Sequence, residues 1–174
     1  MKTSTKQLCR AGVIAALYAV LTYAFAPVAF GPIQIRPAEA LCILPLFFVE
    51  AVPALYVGCL LANLSSPFLL YDLTIGASAT LLGGIGTYLI GRYARKAWLK
   101  LLLGGFFPVF FNTVIIPFVI VVLCGDTSAG ETVLSAYFTV ATSIFLTETV
   151  CVYGLGSPLY HFFKNKTNSK NTKS

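Results

Sequence analysis

Apolar residues fall along this chain in six runs, near 9–28, 37–50, 52–66, 73–93, 98–124 and 132–161. A helix needs about 20 predominantly apolar residues to cross a bilayer, so the pattern predicts an all-α membrane protein with six transmembrane helices. The second and third runs are short and contain Pro45 and Pro53. Proline inside a helix is tolerated in lipid where neighbours satisfy the freed carbonyl. Glu50 and Pro53 mark a tight turn between these two runs.

Charge sets the orientation. All the Lys and Arg except Arg36 lie in three groups: Lys2, Lys6 and Arg10; Arg92, Arg95, Lys96 and Lys100; Lys164, Lys166, Lys170 and Lys173. Positive charge confined to the flanks of apolar runs marks cytoplasmic segments. Both termini and the 92–100 connection are therefore expected inside, as in a multi-pass protein of the cell (plasma) membrane. The connections 29–36, 67–72 and 125–131 are expected outside, with Asp72, Asp126 and Glu131 in or beside them. The first run is long and followed by further spans, so it reads as a retained span and not a cleaved leader. Residues 1–163 form one transmembrane domain. Residues 164–174 are polar and are expected to be a disordered basic tail.

Composition agrees. The chain is 57% apolar and 10% charged, against about 25% charged in soluble domains. A net charge of +6 concentrated at span ends favours anionic lipid headgroups, not nucleic acid, for which no basic run carries a motif. The five cysteines are scattered without CxxC spacing and read as small buried hydrophobes, with no disulfide and no metal. No phosphate-binding loop, HExxH or GxSxG is present, so the chain is not expected to be an enzyme or to hydrolyse ATP itself. Gly83, Gly84 and Gly86 lie inside an apolar run, where helix packing is the expected role. His161 reads as an interfacial residue.

Two patterns carry candidate function. In the first span Ala11, Ala15 and Ala19 recur every four residues and share one helix face. A small-residue face permits close helix approach in lipid, either within this chain or against a separate partner. The second pattern is a set of polar residues in or at the mouths of the spans: Arg36, Glu39, Asn63, Asp72, Asn112 and Glu148. Charges in lipid are costly and usually have a partner or a function. Either these groups line a cavity that opens outward, or they form an Arg36–Glu39 salt bridge and packing hydrogen bonds.

The segment Gly31-Pro32-Ile33-Gln34-Ile35-Arg36-Pro37-Ala38-Glu39-Ala40-Leu41 resembles the approach to the second span in the QueT family of membrane proteins. Ala62-Asn63-Leu64-Ser65-Ser66-Pro67, Tyr71-Asp72, Asn112, Thr147-Glu148 and Gly154-Leu155-Gly156-Ser157-Pro158-Leu159 fit the same pattern. The resemblance runs from about Arg10 to Phe163. It implies the substrate-binding (S) component of an energy-coupling factor (ECF) transporter. Such a component works with a transmembrane coupling protein, which docks on the small-residue face of span 1, and with two ATPase subunits; no cofactor is implied. The implied substrate is a queuosine precursor of 7-deazaguanine type. The alternatives are an S component for another small vitamin, or a small multi-span structural or assembly protein without a substrate.

A guanine-like edge presents two parallel N–H donors, which one carboxylate can accept together. Glu148, the most deeply placed acid, is the first choice for that contact. Glu39 is second, and Asp72 is a further candidate. Asn63 and Asn112 can read a carbonyl or ring nitrogen, and Phe111 and Tyr137 can stack on the ring. Phe30, Gly31 and Pro32 are expected to form a lid, with Arg36 either pinning its end or touching the ligand.

Overall fold

A ten-residue 3₁₀ helix, Pro37–Leu46, stands at the centre of the molecule and touches every long helix around it. The computed structural model describes residues 4–29, 34–130 and 132–171, excepting the side chains of 167–171. The long helices are α1 (Thr5–Ala24), α2 (Ala51–Asn63), α3 (Leu69–Tyr93), α4 (Ala97–Leu123) and α5 (Val133–Lys166). One short turn, Ala26–Ala29, follows α1.

Helices α1, α3, α4 and α5 are long and apolar enough to cross a membrane; the 3₁₀ helix and α2 are shorter apolar segments. The outer surface is apolar, with Val13, Val20, Leu70, Leu134 and Val150 each more than 60% exposed. The polar side chains Glu39, Asn63, Asp72, Asn112 and Glu148 are buried. This inside-out partition is that of an all-α membrane protein.

The 3₁₀ helix can occupy the centre because it has no polar face. Every residue from Ala38 to Leu46 is buried. Its rise of about 2.0 Å per residue stretches ten residues to about 20 Å. Pro37 begins it, and Pro45 near its end supplies no N–H to an α ladder. The turn to α2 ends at Glu50, the N-cap of α2, whose carboxylate accepts from Arg10 Nη1 of α1 at 2.7 Å.

Close backbone approaches hold the helices together. A Cβ built on Gly58 of α2 would lie 2.9 Å from the Ala15 carbonyl oxygen and 2.9 Å from Tyr18 Cβ of α1. A Cβ on Gly83 of α3 would lie 2.9 Å from Pro108 Cα of α4, so this glycine serves the helix packing expected of it. Ala15 and Ala19 are therefore buried inside the bundle. The small-residue face read as a possible partner surface packs within the chain, and Ala11 lies partly buried against the same core. Gly12 and Ala16 are among the small residues of α1 that point outward.

Three stretches within the long helices widen to π geometry: Asp72–Gly76, Phe118–Leu123 and Val150–Leu155. The second follows Pro117, whose missing N–H interrupts the α ladder. The backbone beyond Phe163 remains helical to Asn171, where the sequence pattern predicts a disordered tail. That stretch has neither Gly nor Pro to stop the helix.

The three basic groups meet at one end of the bundle. Arg95 and Lys100 lie beside Lys164 and Leu46–Phe48, and Arg10 stacks its guanidinium over Phe48, 4.1 Å from the ring centroid. Asp126 lies in the connection after α4. Ser128 donates to its Oδ1 from amide (3.0 Å) and hydroxyl (2.6 Å), which holds this carboxyl below its ordinary pKa.

Ala15→Leu should wedge α1 from α2 at Gly58 and destabilise the protein by about 1–3 kcal/mol, the usual cost of overpacking. Ala16→Leu, on the outward face, should change stability by no more than about 0.5 kcal/mol. Thermal unfolding in detergent compares them; equal melting temperatures would contradict the packing.

Candidate functional site

Glu39 sits in the first turn of the 3₁₀ helix and is 1% exposed. In 3₁₀ geometry residues three apart eclipse, and Cys42 accordingly lies over Glu39, its Sγ 3.0 Å from Oε2. The other oxygen, Oε1, accepts from the hydroxyl of Tyr18 on α1. Tyr18 was not singled out from the sequence. The available signal was a tyrosine in mid-span, whose hydroxyl, once buried, requires a partner.

Glu148, on α5 just before the Val150–Leu155 π stretch, is buried and faces α4. Its Oε1 accepts from Asn112 Nδ2 at 2.9 Å. Its Oε2 is buried and has no hydrogen-bond partner. Thr113, beside Asn112, also has a buried oxygen without a partner. An unsatisfied buried polar atom costs about 1–3 kcal/mol, more when charged. Retaining one on a carboxylate therefore calls for a functional explanation.

Arg36 joins these groups. It lies just before the 3₁₀ helix, is largely buried, and is within electrostatic range of Glu39, Asp72 and Glu148. Its Nε donates to the Ala29 carbonyl at 3.3 Å, and the Ile35 amide donates to the Val28 carbonyl at 3.0 Å. These bonds tie together the two sides of the connection from α1. The expected lid residues Phe30, Gly31 and Pro32 lie outside the described residues.

Asn63 and Asp72 form a second cluster. Asn63 Nδ2 donates to the Asp72 carbonyl at 2.8 Å, and the Ser66 hydroxyl donates to Asp72 Oδ2. Ser66 Oγ in turn accepts from the Phe68 amide at 3.0 Å. These bonds fasten the connection between α2 and α3, so the two residues are committed to the scaffold more than Glu148 is. Phe111 and Tyr137 have contacts of their own. Phe111 stacks on Phe107 and meets Phe110 edge-on. Tyr137 donates its hydroxyl to the Val114 carbonyl at 3.2 Å and lines a groove with Phe138 and Phe145 on the surface of α4 and α5.

Glu39 and Glu148 are thus two buried carboxylates, each held by a neutral donor, with the buried Arg36 within electrostatic range of both. Among the described residues no group of three His, Cys, Asp or Glu converges to hold a metal ion, and all five cysteines are free.

Over 95 residues the chain is 30% identical to the queuosine precursor transporter QueT of Lactococcus lactis subsp. cremoris, an overlap of 53% of this chain and 56% of that protein. The match thus spans little more than half of that relative. No solved structure matches the chain. A sequence profile matches from residue 8 to residue 165, across every helix and polar cluster described above, and by that match the chain belongs to the QueT transporter family.

Proposed function

We propose that this chain is the substrate-binding component of an ECF-type transporter and captures a queuosine precursor of 7-deazaguanine type. The buried, unpartnered Oε2 of Glu148 carries this reading. A deazaguanine edge brings two adjacent N–H donors. Glu148 can accept both, one at Oε2 and one at the remaining lone pair of Oε1, while Asn112 keeps the carboxylate oriented. The Asn112 amide oxygen adds an acceptor. Glu39, braced by Tyr18 and Cys42, supplies the second negative group that a cationic aminomethyl substituent would favour. The name of the bacterial relative supports the same substrate class.

The remaining parts of the proposal concern the assembly. The chain contains no phosphate-binding loop, so energy would come from two partner ATPase subunits acting through a transmembrane coupling protein. The protein would sit in the cell membrane with its basic end in the cytoplasm. The docking ridge would be the outward face of α1, where Gly12 and Ala16 lie between the exposed Val13, Leu17 and Val20. A Cβ on Gly12 would meet nothing within 4 Å, leaving room for a neighbouring helix to come close.

The purified chain should bind queuine, 7-cyano-7-deazaguanine or 7-aminomethyl-7-deazaguanine saturably, and guanine and riboflavin more weakly. Absence of saturable binding to every deazapurine would refute the proposed substrate. Glu148→Gln places an amide N–H against the ligand's own N–H and should cost about 2–5 kcal/mol of binding, at least tenfold in Kd, with the fold intact. If Glu39→Gln is impaired while Glu148→Gln binds normally, the edge is read at Glu39. Ala16→Trp should abolish uptake into cells while calorimetry on the purified chain shows unchanged ligand affinity; uptake at the wild-type rate would rule out docking on this ridge.

A further inference from the structure

The basic end of the bundle holds a pocket that the proposed transport does not use. It has a volume of about 340 Å³ and is lined by Leu46, Phe47, Phe48, Arg95, Ala97, Lys100, Tyr160 and Lys164. Three cations therefore converge on a space that also has an apolar and aromatic wall. Their charge is not neutralised locally. The chain has six acidic residues. The one at this end, Glu50, is already bound to Arg10 in an ion pair.

The cations are held by contacts that leave their charge available. Lys100 Nζ donates to the Gly91 carbonyl at 2.8 Å, which anchors the ammonium beside the end of α3 with two hydrogens still to give. Ala97 is the first residue of α4, whose N-cap, Lys96, makes no side-chain capping bond. The first amides of that helix add partial positive charge to the same wall. Tyr160 donates its hydroxyl to the Ala97 carbonyl at 2.8 Å and fixes α5 against α4 behind the pocket. Trp98 and Tyr93, 61% and 74% exposed, lie close to Ala97 and Arg95 in sequence, and such aromatic residues are enriched at a membrane–water interface.

We infer that this pocket is a specific site for the headgroup of an anionic phospholipid. The phosphate would sit among Arg95, Lys100 and Lys164, and the acyl chains would run down the apolar surface beside it. The combination of charge and apolar wall at the membrane boundary favours a lipid over a soluble anion, which has no use for Phe47 and the exposed hydrocarbon nearby. Leu46, the last residue of the central 3₁₀ helix, lines the pocket, so an occupant would brace the segment whose other end carries Glu39.

Native mass spectrometry of the full chain in detergent tests this, with phosphatidylglycerol, phosphatidylcholine and inorganic phosphate as probes. Wild type should retain phosphatidylglycerol in preference to phosphatidylcholine. The triple variant Arg95→Gln, Lys100→Gln, Lys164→Gln should lose that preference, with roughly tenfold or greater weakening of phosphatidylglycerol binding, since each cation near an anionic surface contributes appreciably. A matched variant with the same charge change outside the pocket, Lys6→Gln, Arg92→Gln, Lys166→Gln, should bind as wild type does. Equal loss in both variants would overturn the inference, because the attraction would then be diffuse. Displacement of the lipid by millimolar phosphate would overturn it too, by making the site one for soluble anions. Circular dichroism on both variants verifies that the fold is retained.

Discussion

A backbone segment in the middle of a membrane must satisfy its own polar groups and find apolar neighbours on all sides, and the 3₁₀ helix Pro37–Leu46 imposes that requirement on the whole bundle. It is buried over nearly its full length, and α1 through α5 are arranged so that each lays a face against it. The close approaches follow from this. Gly91 of α3 meets Leu46 at the backbone and Gly104 of α4 meets the Leu46 side chain, because anything larger would hold those helices away from so narrow a post. The same constraint positions the polar site. Glu39 lies on the post itself, so its carboxylate meets the hydroxyl of Tyr18 on α1, and Glu148 of α5 lies within electrostatic range of it.

Much of the architecture was legible in the alternation of apolar runs and basic flanks. The ends of α3 and α4 fall close to where Arg92, Arg95 and Lys96 interrupt the hydrophobic pattern, and the two short runs with Pro45 and Pro53 emerge as the two short helices. What could not be read was which face turns inward. Ala11, Ala15 and Ala19 share the inward side of α1 with Ile14 and Tyr18. Spacing alone carries no information about where the neighbouring helix lies, and the complementary Gly58 is 43 residues beyond Ala15. The 3₁₀ form of the second run was equally hidden, because a segment apolar on all sides has no period to reveal its pitch.

The polar site divides along similar lines. That Glu148, Glu39 and Arg36 are buried follows from their place within apolar surroundings, since a membrane interior accepts charges only where they face protein. The pairing of Asn112 with Glu148 joins residues 36 apart on different helices and leaves no trace in local sequence. Asn63 and Asp72 look equivalent to Asn112 and Glu148 as intramembrane polar residues. The difference lies in what surrounds them: a tight connection with Ser66 consumes their hydrogen bonds, whereas α4 and α5 leave one oxygen of Glu148 unclaimed. Aromatic residues were the least informative class, because fourteen Phe and nine Tyr mostly serve the lipid-facing surface and helix contacts.

The π stretch Val150–Leu155 sets the angular relation between the two halves of α5. A π turn contains about one residue more than an α turn, so removing one residue from that stretch would restore α geometry with the two halves still facing nearly the same way, whereas the loss of one residue from a regular α turn of α5 would rotate everything after it by about 100°. A deletion between Leu155 and Tyr160 would swing Tyr160 away from Ala97, while Glu148, before it, would stay where it is. The number of residues between the carboxylate and the basic end is thus fixed everywhere except in that one wide turn. Substitutions along α5 change surfaces, but an insertion or deletion in its regular turns changes which two faces of one helix serve the two ends of the protein.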